Sequence, residues 1–526
     1  MKSFNFTNAS PTDFSIRENR DLFRSEIERF RNENYGKIVA YPIINGEKIK
    51  TDIIEKSIDP SSEEELGQVH FAGESHVQDA MQSLIKAKDK WRKTSWKKRA
   101  DILKKTADIM HERKLELAAL IIHEAGKAWK EADADVDEAI DFCIYYAQLA
   151  EEMGTPKLTQ KVLGEENYYS YFPRGIALVI SPWNFPLAIA CGMTVAALVT
   201  GNCTILKPAE QTSLIAGVFA EILLEAGLPK DVFALLPGKG ELIGRNLVKH
   251  PNVDIICFTG SKPVGLEILK TASEVLPGQT KLKKIICELG GKNAIIVDED
   301  ADLDEAIKGI LYSAFGFSGQ KCSACSRVIA VGDAYERLIE RLAKAAKDII
   351  IGEAYKPETF VGPVIDHEAF QRIQKTILNA EEKHELVCKG DAPRKGFFVP
   401  QTVFRDVSED SELWNEEVFG PVVACAQAES FANAIKMANK SQYALTGGVF
   451  SRSPNNIALA KAEFEVGNLY INRSCTGAIV CRQPFGGFKM SGIGSKAGGP
   501  DYLLQFVEPR VHTENTMRRG FSPDLA

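Results

Sequence analysis

The spacing of hydrophobic residues changes partway along the chain. Between about Ser75 and Met153, apolar residues recur at the period of about 3.6 residues that is typical of amphipathic helices, with breaks near Thr94 and Gly126. Ser75 followed by Gln78 matches a capping box, so we expect the first of these helices to begin there. This part of the chain is therefore predicted to be a run of helices.

The segment before these helices is polar and then strand-like. Residues 1–38 are expected to form an N-terminal arm with a short helix near Arg20–Asn32. Val39–Ile44 and Glu47–Lys50 are typical of two strands, and the Asn45-Gly46 dipeptide between them is the strongest signal for a type I′ turn. We therefore predict a β-hairpin here.

Beyond Gly154, short apolar strands alternate with helical segments. Strands are expected at 168–172, 176–181, 203–206, 232–236, 254–258 and 284–288, with helices at 187 onward, 213–225, 241–249 and 263–272. This alternation predicts right-handed βαβ units and an open, doubly wound sheet. Such sheets bind ligands at the carboxyl ends of their strands.

The alternation restarts near Gly290. Helices are expected at 302–315 and 335–350, and strands at 327–331, 397–404, 422–426, 448–450 and 469–471. The predicted class is α/β, with two doubly wound open-sheet domains at 39–153 plus 173–289 and at 290–485. Segments 154–172 and 500–515 hold strands without a partner nearby in sequence, so we expect them to share a small sheet that makes subunit contacts.

Composition excludes several classes of protein. The 526 residues carry a formal charge of −7, which gives no overall attraction to nucleic acid or to an anionic membrane. The 11 cysteines are scattered, without the spacing of a metal site, as is usual in a reducing compartment. No apolar run reaches the roughly 18 residues that a spanning helix needs, and the first residues do not resemble a secretion signal. We expect a cytoplasmic protein.

Chemistry-bearing residues follow the ends of the predicted strands. Asn184 lies in the turn Ser181–Pro186, where two prolines fix the backbone and its amide can stabilise an oxyanion; the alternative is an Asn that only satisfies the turn. Lys207 and Glu210 follow the next strand and can hold the hydroxyls of a ribose, although alone they resemble an exposed ion pair. Each signal is weak by itself.

Two further strand ends add to this pattern. Ser261 precedes a proline that opens a helix, and free N–H groups at a helix start bind phosphate. The usual dinucleotide glycine fingerprint is off register, since Gly244 comes one place late after Gly238 and Gly240. Glu288 ends an apolar strand, where burial would suit it to be a general base; the alternative is a structural carboxylate.

Cys322 is the candidate nucleophile. It lies among small residues, and the neighbouring Lys321 can favour a thiolate. The alternative is that Cys322, like most cysteines, is a small buried hydrophobic residue. For Cys325, three residues later, packing is favoured over a role as a resolving thiol.

In order and spacing, seven motifs resemble the aldehyde dehydrogenase superfamily over roughly residues 40–515. They are Pro182–Phe185, Lys207–Glu210, Phe258–Ser261, Glu288–Lys292, Gly319–Cys322, Glu416–Pro421 and Pro484–Gly487. The resemblance implies that Cys322 attacks an aldehyde, that Asn184 and the Cys322 N–H form the oxyanion hole, and that Glu288 activates water. It also implies that the first domain binds the cofactor and the second is catalytic. NAD is the expected cofactor, with NADP as a weaker alternative because Glu210 is acidic; the implied contacts are Ser181, Trp183, Lys207, Glu210, Gly240, Ser261, Leu289, Glu417 and Phe419.

Within the superfamily, the sequence around Cys322 and Thr476–Val480 is similar to the branch that oxidises L-glutamate γ-semialdehyde, from 1-pyrroline-5-carboxylate, to L-glutamate in proline catabolism. The resemblance implies substrate contacts from Phe185, Ser323, Gly477, Ala478 and Phe485, with no metal. Cys475 departs from the glycine expected near it and leaves the loop shape in doubt. The alternatives are a dehydrogenase for another semialdehyde or an aliphatic aldehyde, a CoA-acylating enzyme, and a non-catalytic binding protein. We expect a stand-alone enzyme that forms a homodimer or a higher oligomer.

Overall fold

The computed structural model describes residues 6–517, so residues 1–5 of the predicted arm lie outside it. The helices are α1 (Arg17–Glu33), α2 (Glu74–Lys93), α3 (Trp96–Glu112), α4 (Lys114–Ala125), α5 (Trp129–Met153), α6 (Ala188–Val199), α7 (Ser213–Glu225), α8 (Arg245–Lys249), α9 (Lys262–Ser273), α10 (Leu303–Phe315), α11 (Ala334–Lys347), α12 (His367–Glu381), α13 (Glu412–Asn415), α14 (Phe431–Asn439) and α15 (Pro454–Glu463). None of the helices within 6–517 is long and apolar enough to cross a bilayer.

The strands fall into two large sheets and three small ones. They are β1 (Ile38–Ala40), β2 (Ile43–Ile44), β3 (Glu47–Lys48), β4 (Ile54–Asp59), β5 (Glu64–His70), β6 (Lys157–Leu158), β7 (Glu165–Pro173), β8 (Ile176–Ile180), β9 (Cys203–Lys207), β10 (Phe233–Leu235), β11 (Ile255–Thr259), β12 (Lys284–Glu288), β13 (Asn293–Val297), β14 (Cys325–Val331), β15 (Glu385–Lys389), β16 (Thr402–Arg405), β17 (Val422–Ala428), β18 (Tyr443–Ala444), β19 (Thr446–Phe450), β20 (Asn468–Ile471), β21 (Phe488–Lys489), β22 (Gly492–Ile493) and β23 (Val507–Asn515).

The first large sheet has the order β22-β12-β11-β8-β9-β10-β2-β3. Its five strands β12, β11, β8, β9 and β10 are parallel, and the short outer strands β22 and β2 pair with them antiparallel. Ile176–Val179 of β8 are completely buried, as expected for a parallel strand covered by helices on both faces. The predicted doubly wound sheet is confirmed.

The second large sheet has the order β15-β16-β17-β14-β13-β19-β20. The sequence analysis missed one of its inner strands, β13, because these five residues follow Gly290-Gly291 so closely that the pattern merges with the preceding strand. The strand expected at 397–404 begins only at Thr402; the Phe397 N–H instead donates to the Pro60 carbonyl, in the loop between β4 and β5.

The unpartnered strands pair with each other, as expected. β7 and β23 form a nine-residue antiparallel ladder from Glu165↔Asn515 to Pro173↔Val507, and β6 lies on the other side of β7. Beyond Val507, the residues of β23 are exposed. We call this three-stranded sheet the flap.

Three local predictions in the first domain have different outcomes. Asn45 and Gly46 both have positive φ, 53° and 74°, as a type I′ turn requires, and β2 pairs with β3 across them. The single strand predicted before that turn is interrupted at Pro42, since β1 joins β5 in a separate sheet. The Ser75 capping box is wrong: α2 begins at Glu74 after Gly73, whose N–H donates to His76 Nδ1 at 2.9 Å.

Candidate active site

Four neighbouring strands deliver the predicted motifs to one edge of the first sheet. In the order β12-β11-β8-β9 they end at Glu288, Thr259, Ile180 and Lys207, directly before or within the motifs. Because the four strands are parallel, their carboxyl ends lie side by side. Segments that are distant in sequence therefore line one cavity.

The cavity has a volume of about 830 Å³, near the upper end of the range of about 300–1,000 Å³ for small-molecule sites. Its walls include Asn184 and Cys322. They also include every residue that the sequence analysis assigned to the cofactor: Ser181, Trp183, Lys207, Glu210, Gly240, Ser261, Leu289, Glu417 and Phe419. Residues of the first domain and Cys322 therefore line the same cavity.

Glu210 is fixed in place by two donors. Its carboxylate accepts the Gly240 N–H at 2.8 Å and the Lys207 ammonium at 3.3 Å, and Lys207 also donates to the Pro208 carbonyl at 3.1 Å. Lys207 is buried, which lowers its pKa. Because Lys207 is buried and the Glu210 side chain is only partly exposed, the pair differs from the exposed surface ion pair that the sequence left open. A fixed carboxylate beside an ammonium on a cavity wall fits a ribose diol.

The start of α9 offers an anion site in the same cavity. Ser261 is the N-cap residue, and its side chain makes no capping hydrogen bond. Residues 261–264 line the cavity, so the first N–H groups of this 12-residue helix lie beside it. Free helix N–H groups and a hydroxyl fit the pyrophosphate of a dinucleotide.

The nucleophile turn has an unusual backbone. Phe317 and Ser318 both adopt left-handed φ, 51° and 56°, which costs energy for residues other than glycine. The Ser318 hydroxyl donates to the Gly362 carbonyl at 2.7 Å, and Asn293 Nδ2 donates to the Cys322 carbonyl at 2.7 Å. These bonds hold the turn that presents Cys322.

Cys322 is half-buried, and its surroundings favour the neutral thiol. Burial, together with the negative charges of Glu417 and Glu288, raises the pKa of the Cys322 thiol. The neighbouring Lys321 ammonium is bonded to Glu131 at 2.6 Å. The Lys321 ammonium is therefore already paired with the Glu131 carboxylate.

Asn184 is buried and anchored at both ends. Its Nδ2 donates to the Gln320 carbonyl at 3.0 Å, and its own backbone carbonyl accepts the Lys127 ammonium at 2.9 Å. A side-chain amide has two N–H donors, so one remains for a ligand in the cavity that Asn184 lines. This geometry fits an oxyanion donor beside Cys322.

Glu288 lies under the segment between Gly486 and Lys496. A Cβ on Gly486 would come within 2.9 Å of its Oε1, and its Oε2 is buried without a hydrogen-bond partner. Burial raises the pKa of Glu288 to about 8, although Lys496 and the Gly487 N–H favour the charged form. Glu288 is not among the residues lining the cavity. A carboxylate with one buried, unpartnered oxygen and this pKa fits a base better than a structural anchor.

Glu417 and Phe419 form the wall next to Cys322. Glu417 accepts the Gly291 N–H at 2.8 Å, and burial raises its pKa to about 7. Phe419 has a positive φ of 53° and packs edge-on against Trp183 with ring centroids 5.5 Å apart. Glu417 and Phe419 line the cavity together with Cys322.

The five residues predicted to contact the substrate lie outside the 830 Å³ cavity. Ser323 is buried, and its carbonyl accepts Cys475 Sγ at 3.6 Å, which ties it to the loop that carries Gly477 and Ala478. Gly477 has φ of +74° with open space where a Cβ would stand.

Phe185 and Phe485, the two aromatic residues predicted to contact the substrate, are held in place by different interactions. The Phe185 ring centroid lies 3.8 Å from the Lys127 ammonium, and Phe485 exchanges two backbone hydrogen bonds with Ala497, at 2.8 and 2.7 Å. Phe185 therefore lies in the turn that carries Asn184, and Phe485 is bonded to the segment that covers Glu288.

The other cysteines near the site are packing residues. Cys325 begins β14, belongs to the apolar core of the second sheet and donates to the Arg327 carbonyl at 3.4 Å. Cys475 is fully buried, and its N–H donates to the Ser313 hydroxyl at 3.1 Å. The loop that follows Cys475 is therefore anchored to α10.

Sequence reasoning missed Lys127, Glu131 and Asn293. All three are buried polar residues that bond the segments carrying Asn184 and Cys322. Lys127 and Glu131 lie at the start of a helical, charged stretch, where such residues are normally solvated. Only the burial of these side chains distinguishes them, and no local sequence signal indicates that burial.

The fold and this site define an enzyme class: the chain matches the aldehyde dehydrogenase family over residues 48–511 and belongs to that family. It is similar to 1-pyrroline-5-carboxylate dehydrogenase of Geobacillus thermodenitrificans, with 47% identity over 506 residues that cover 96% of this chain and 98% of the relative. Among solved structures it is similar to 1-pyrroline-5-carboxylate dehydrogenase from Thermus with bound NAD, with a TM-score of 0.95 and 41% identity over 98% of this chain and all of that one. Proline utilization A from Bdellovibrio bacteriovorus matches 99% of this chain with 55% of its own length, at a TM-score of 0.97 and 47% identity.

Proposed function

We propose that this enzyme oxidises L-glutamate γ-semialdehyde, formed from 1-pyrroline-5-carboxylate, to L-glutamate with NAD in proline catabolism. The observation that carries the proposal is one cavity whose wall combines a ribose-type carboxylate at Glu210, a helix start at Ser261 and the thiol of Cys322. The relatives named for this reaction cover nearly the whole chain and support the choice of substrate.

The residues of the site divide the reaction into two stages. The Cys322 thiol releases its proton to water and its sulfur attacks the aldehyde carbon to form a hemithioacetal, whose oxyanion is stabilised by the second Asn184 N–H together with the Cys322 N–H. Bound NAD supplies the hydride acceptor. Loss of the hydride from the former aldehyde carbon leaves a thioester on Cys322. Glu288 takes a proton from water, the water oxygen attacks the thioester carbonyl, and the carbon–sulfur bond breaks to give the carboxylic acid, whose proton returns to the Cys322 sulfur as the carboxylate leaves.

Substrate selection would be made by the loop beside Ser323. The Ser323 hydroxyl and the adjacent Gly477 and Ala478 N–H groups suit the α-carboxylate, since N–H groups on a small-residue loop form a nest for a carboxylate. The Phe185 and Phe485 rings would flank the aliphatic middle of the substrate.

The cofactor and the assembly are part of the same proposal. Glu210, already held by Gly240 and Lys207, would repel a 2′-phosphate, so NAD is favoured over NADP. We assign residues 39–153 and 173–289 to NAD binding and 290–485 to catalysis. The flap has an open edge at β23, which suits pairing in a homodimer or a higher oligomer. A net charge of −7 and the cysteine pattern favour a cytoplasmic enzyme without nucleic-acid or membrane partners.

The test is NADH formation by the purified protein with 1-pyrroline-5-carboxylate and, separately, with propanal. We expect kcat/KM to be far higher with the former. Equal rates with the two compounds would favour the alternative, a dehydrogenase for another semialdehyde or an aliphatic aldehyde.

The variant Ser323→Ala examines the carboxylate contact. Its KM for the semialdehyde should rise about tenfold, the cost of one hydrogen bond to a charged group, whereas propanal kinetics should not change. An unchanged preference in this variant would remove Ser323 from the assignment.

A further inference from the structure

Lys127 is a buried cation close to the chemistry. It lies in the connection between α4 and α5, its side chain is 0% exposed, and it is not among the residues that line the cavity. Burying an ammonium group costs free energy unless it is paired and hydrogen-bonded. The groups that contact Lys127 therefore indicate its role.

Those contacts converge on the turn that carries the oxyanion donor. The ammonium donates to Asp135 at 3.0 Å and to the Asn184 backbone carbonyl at 2.9 Å. It also lies 3.8 Å from the centroid of the Phe185 ring and 4.9 Å from that of Phe317. Lys127 thus contacts two consecutive residues of the turn through their backbone and ring.

Asp135 extends the same support to the other end of the turn. Its Oδ1 accepts the N–H of Ala188, the first residue of α6, at 2.7 Å, while its Oδ2 accepts Lys127. The ion pair therefore holds residues 184–188 at both ends. Fixing both ends restricts how far the Asn184 carbonyl and side chain can rotate.

We propose that Lys127, through this pair, is a positioning residue that aims the Asn184 amide at the oxyanion. The inference depends on the proposed role of Asn184 as the oxyanion donor. Asn184 has two anchors, the Gln320 carbonyl on its amide and Lys127 on its backbone carbonyl. Removing Lys127 leaves only the first, and a shift of about 1 Å in a positioned group can lower a rate by about 100-fold.

The experiment compares Lys127→Met with the double variant Lys127→Met/Asp135→Asn. Met keeps the length of the side chain without its charge, and the amide oxygen introduced by Asp135→Asn can still accept the Ala188 N–H. The single variant leaves a buried, unpaired carboxylate, so its melting temperature should fall. The double variant should recover the melting temperature but retain a kcat lowered by about 10- to 100-fold. NAD affinity should be unchanged in both, because Lys127 does not line the cavity.

A double-mutant cycle separates positioning from a general structural role. In an Asn184→Ala background, Lys127→Met should lower kcat by no more than about twofold, because the group it positions is gone. Overturning results would be wild-type kcat in the double variant, or an equal loss with and without Asn184.

All rates are measured with both propanal and 1-pyrroline-5-carboxylate, since an oxyanion forms with any aldehyde. If the wild type turned over only propanal, the substrate proposal would fail, but the kcat values of the Lys127 variants with propanal would still test the positioning role.

Discussion

Glu288 and Gly492 are direct partners across the antiparallel pair β12–β22. The chain returns from the second domain to add this edge strand, and the same return places Gly486 against the Glu288 carboxyl. Burial under this segment raises the pKa of Glu288 to about 8. The base of the proposed reaction therefore obtains its properties from a segment about two hundred residues further along the chain, between Gly486 and Lys496.

The first prediction concerns hydrolysis of the thioester. Glu288 acts as a base only when deprotonated, so the rate of this step should rise with pH through about 8. Glu288→Gln should keep a first burst of NADH while the steady-state rate falls by about 10²–10⁴-fold. Stopped-flow absorbance measures both. Full turnover in the variant would exclude Glu288 as the base.

A second prediction concerns stability. The folded state raises the pKa of Glu288 from 4.5 to about 8, so its contribution to stability is present at low pH and is lost as pH rises through about 8. Glu288→Gln cannot ionise. Its melting temperature relative to wild type should therefore be higher at pH 9 than at pH 6, as measured by calorimetry. The same difference at both pH values would contradict the buried-carboxyl explanation.

A third prediction uses the cysteines. Nine of the eleven are buried, Cys322 is half-buried and Cys481 is exposed. A thiol reagent applied to the native enzyme should therefore modify two residues, Cys481 faster than Cys322, because the raised pKa of the Cys322 thiol leaves less of the reactive thiolate. With Cys481→Ser only one should react, and activity should fall in step with it. Cys322→Ser should fold and bind NAD but show no turnover; normal turnover would remove the nucleophile assignment.

A fourth prediction tests the ribose carboxylate. Glu210→Gln loses the charge that Lys207 and the Gly240 N–H hold in place. NAD affinity should fall about tenfold, and the preference for NAD over NADP should shrink, because the repulsion of a 2′-phosphate is lost. Fluorescence titration with each cofactor measures this. Glu221→Gln, on the surface of α7 in an ion pair with Lys48, is the matched control and should leave both affinities unchanged.

A fifth prediction concerns the flap. Deleting residues 508–526 removes most of β23, including Glu508 and its ion pair with Arg174 at 2.7 Å. The particle mass from light scattering should fall to that of a smaller assembly, with NAD binding retained. An unchanged mass would mean that the subunits associate through another surface.

The order of strands and helices in the first domain was predictable because each element carries its own signal. The 3.6-residue period ends at Met153, and helix α7 runs from Ser213 to Glu225, the limits that its pattern predicts. The Asn45-Gly46 turn is similarly local. β13 escaped prediction because it is short and follows another strand after only four residues. Its identity depends on pairing with β14 and β19, which lie far along the chain.

The sequence by itself determined which residues can do chemistry and that they follow strand ends, because motifs and hydrophobic periods are properties of neighbouring residues. Only the tertiary structure decided how those residues are tuned. Lys127 reaches the Asn184 carbonyl across 57 residues, and Lys321 reaches Glu131 across 190. The pKa of Glu288 likewise depends on what covers it. Burial and pairing are sums over contacts between distant segments, and no local pattern records them.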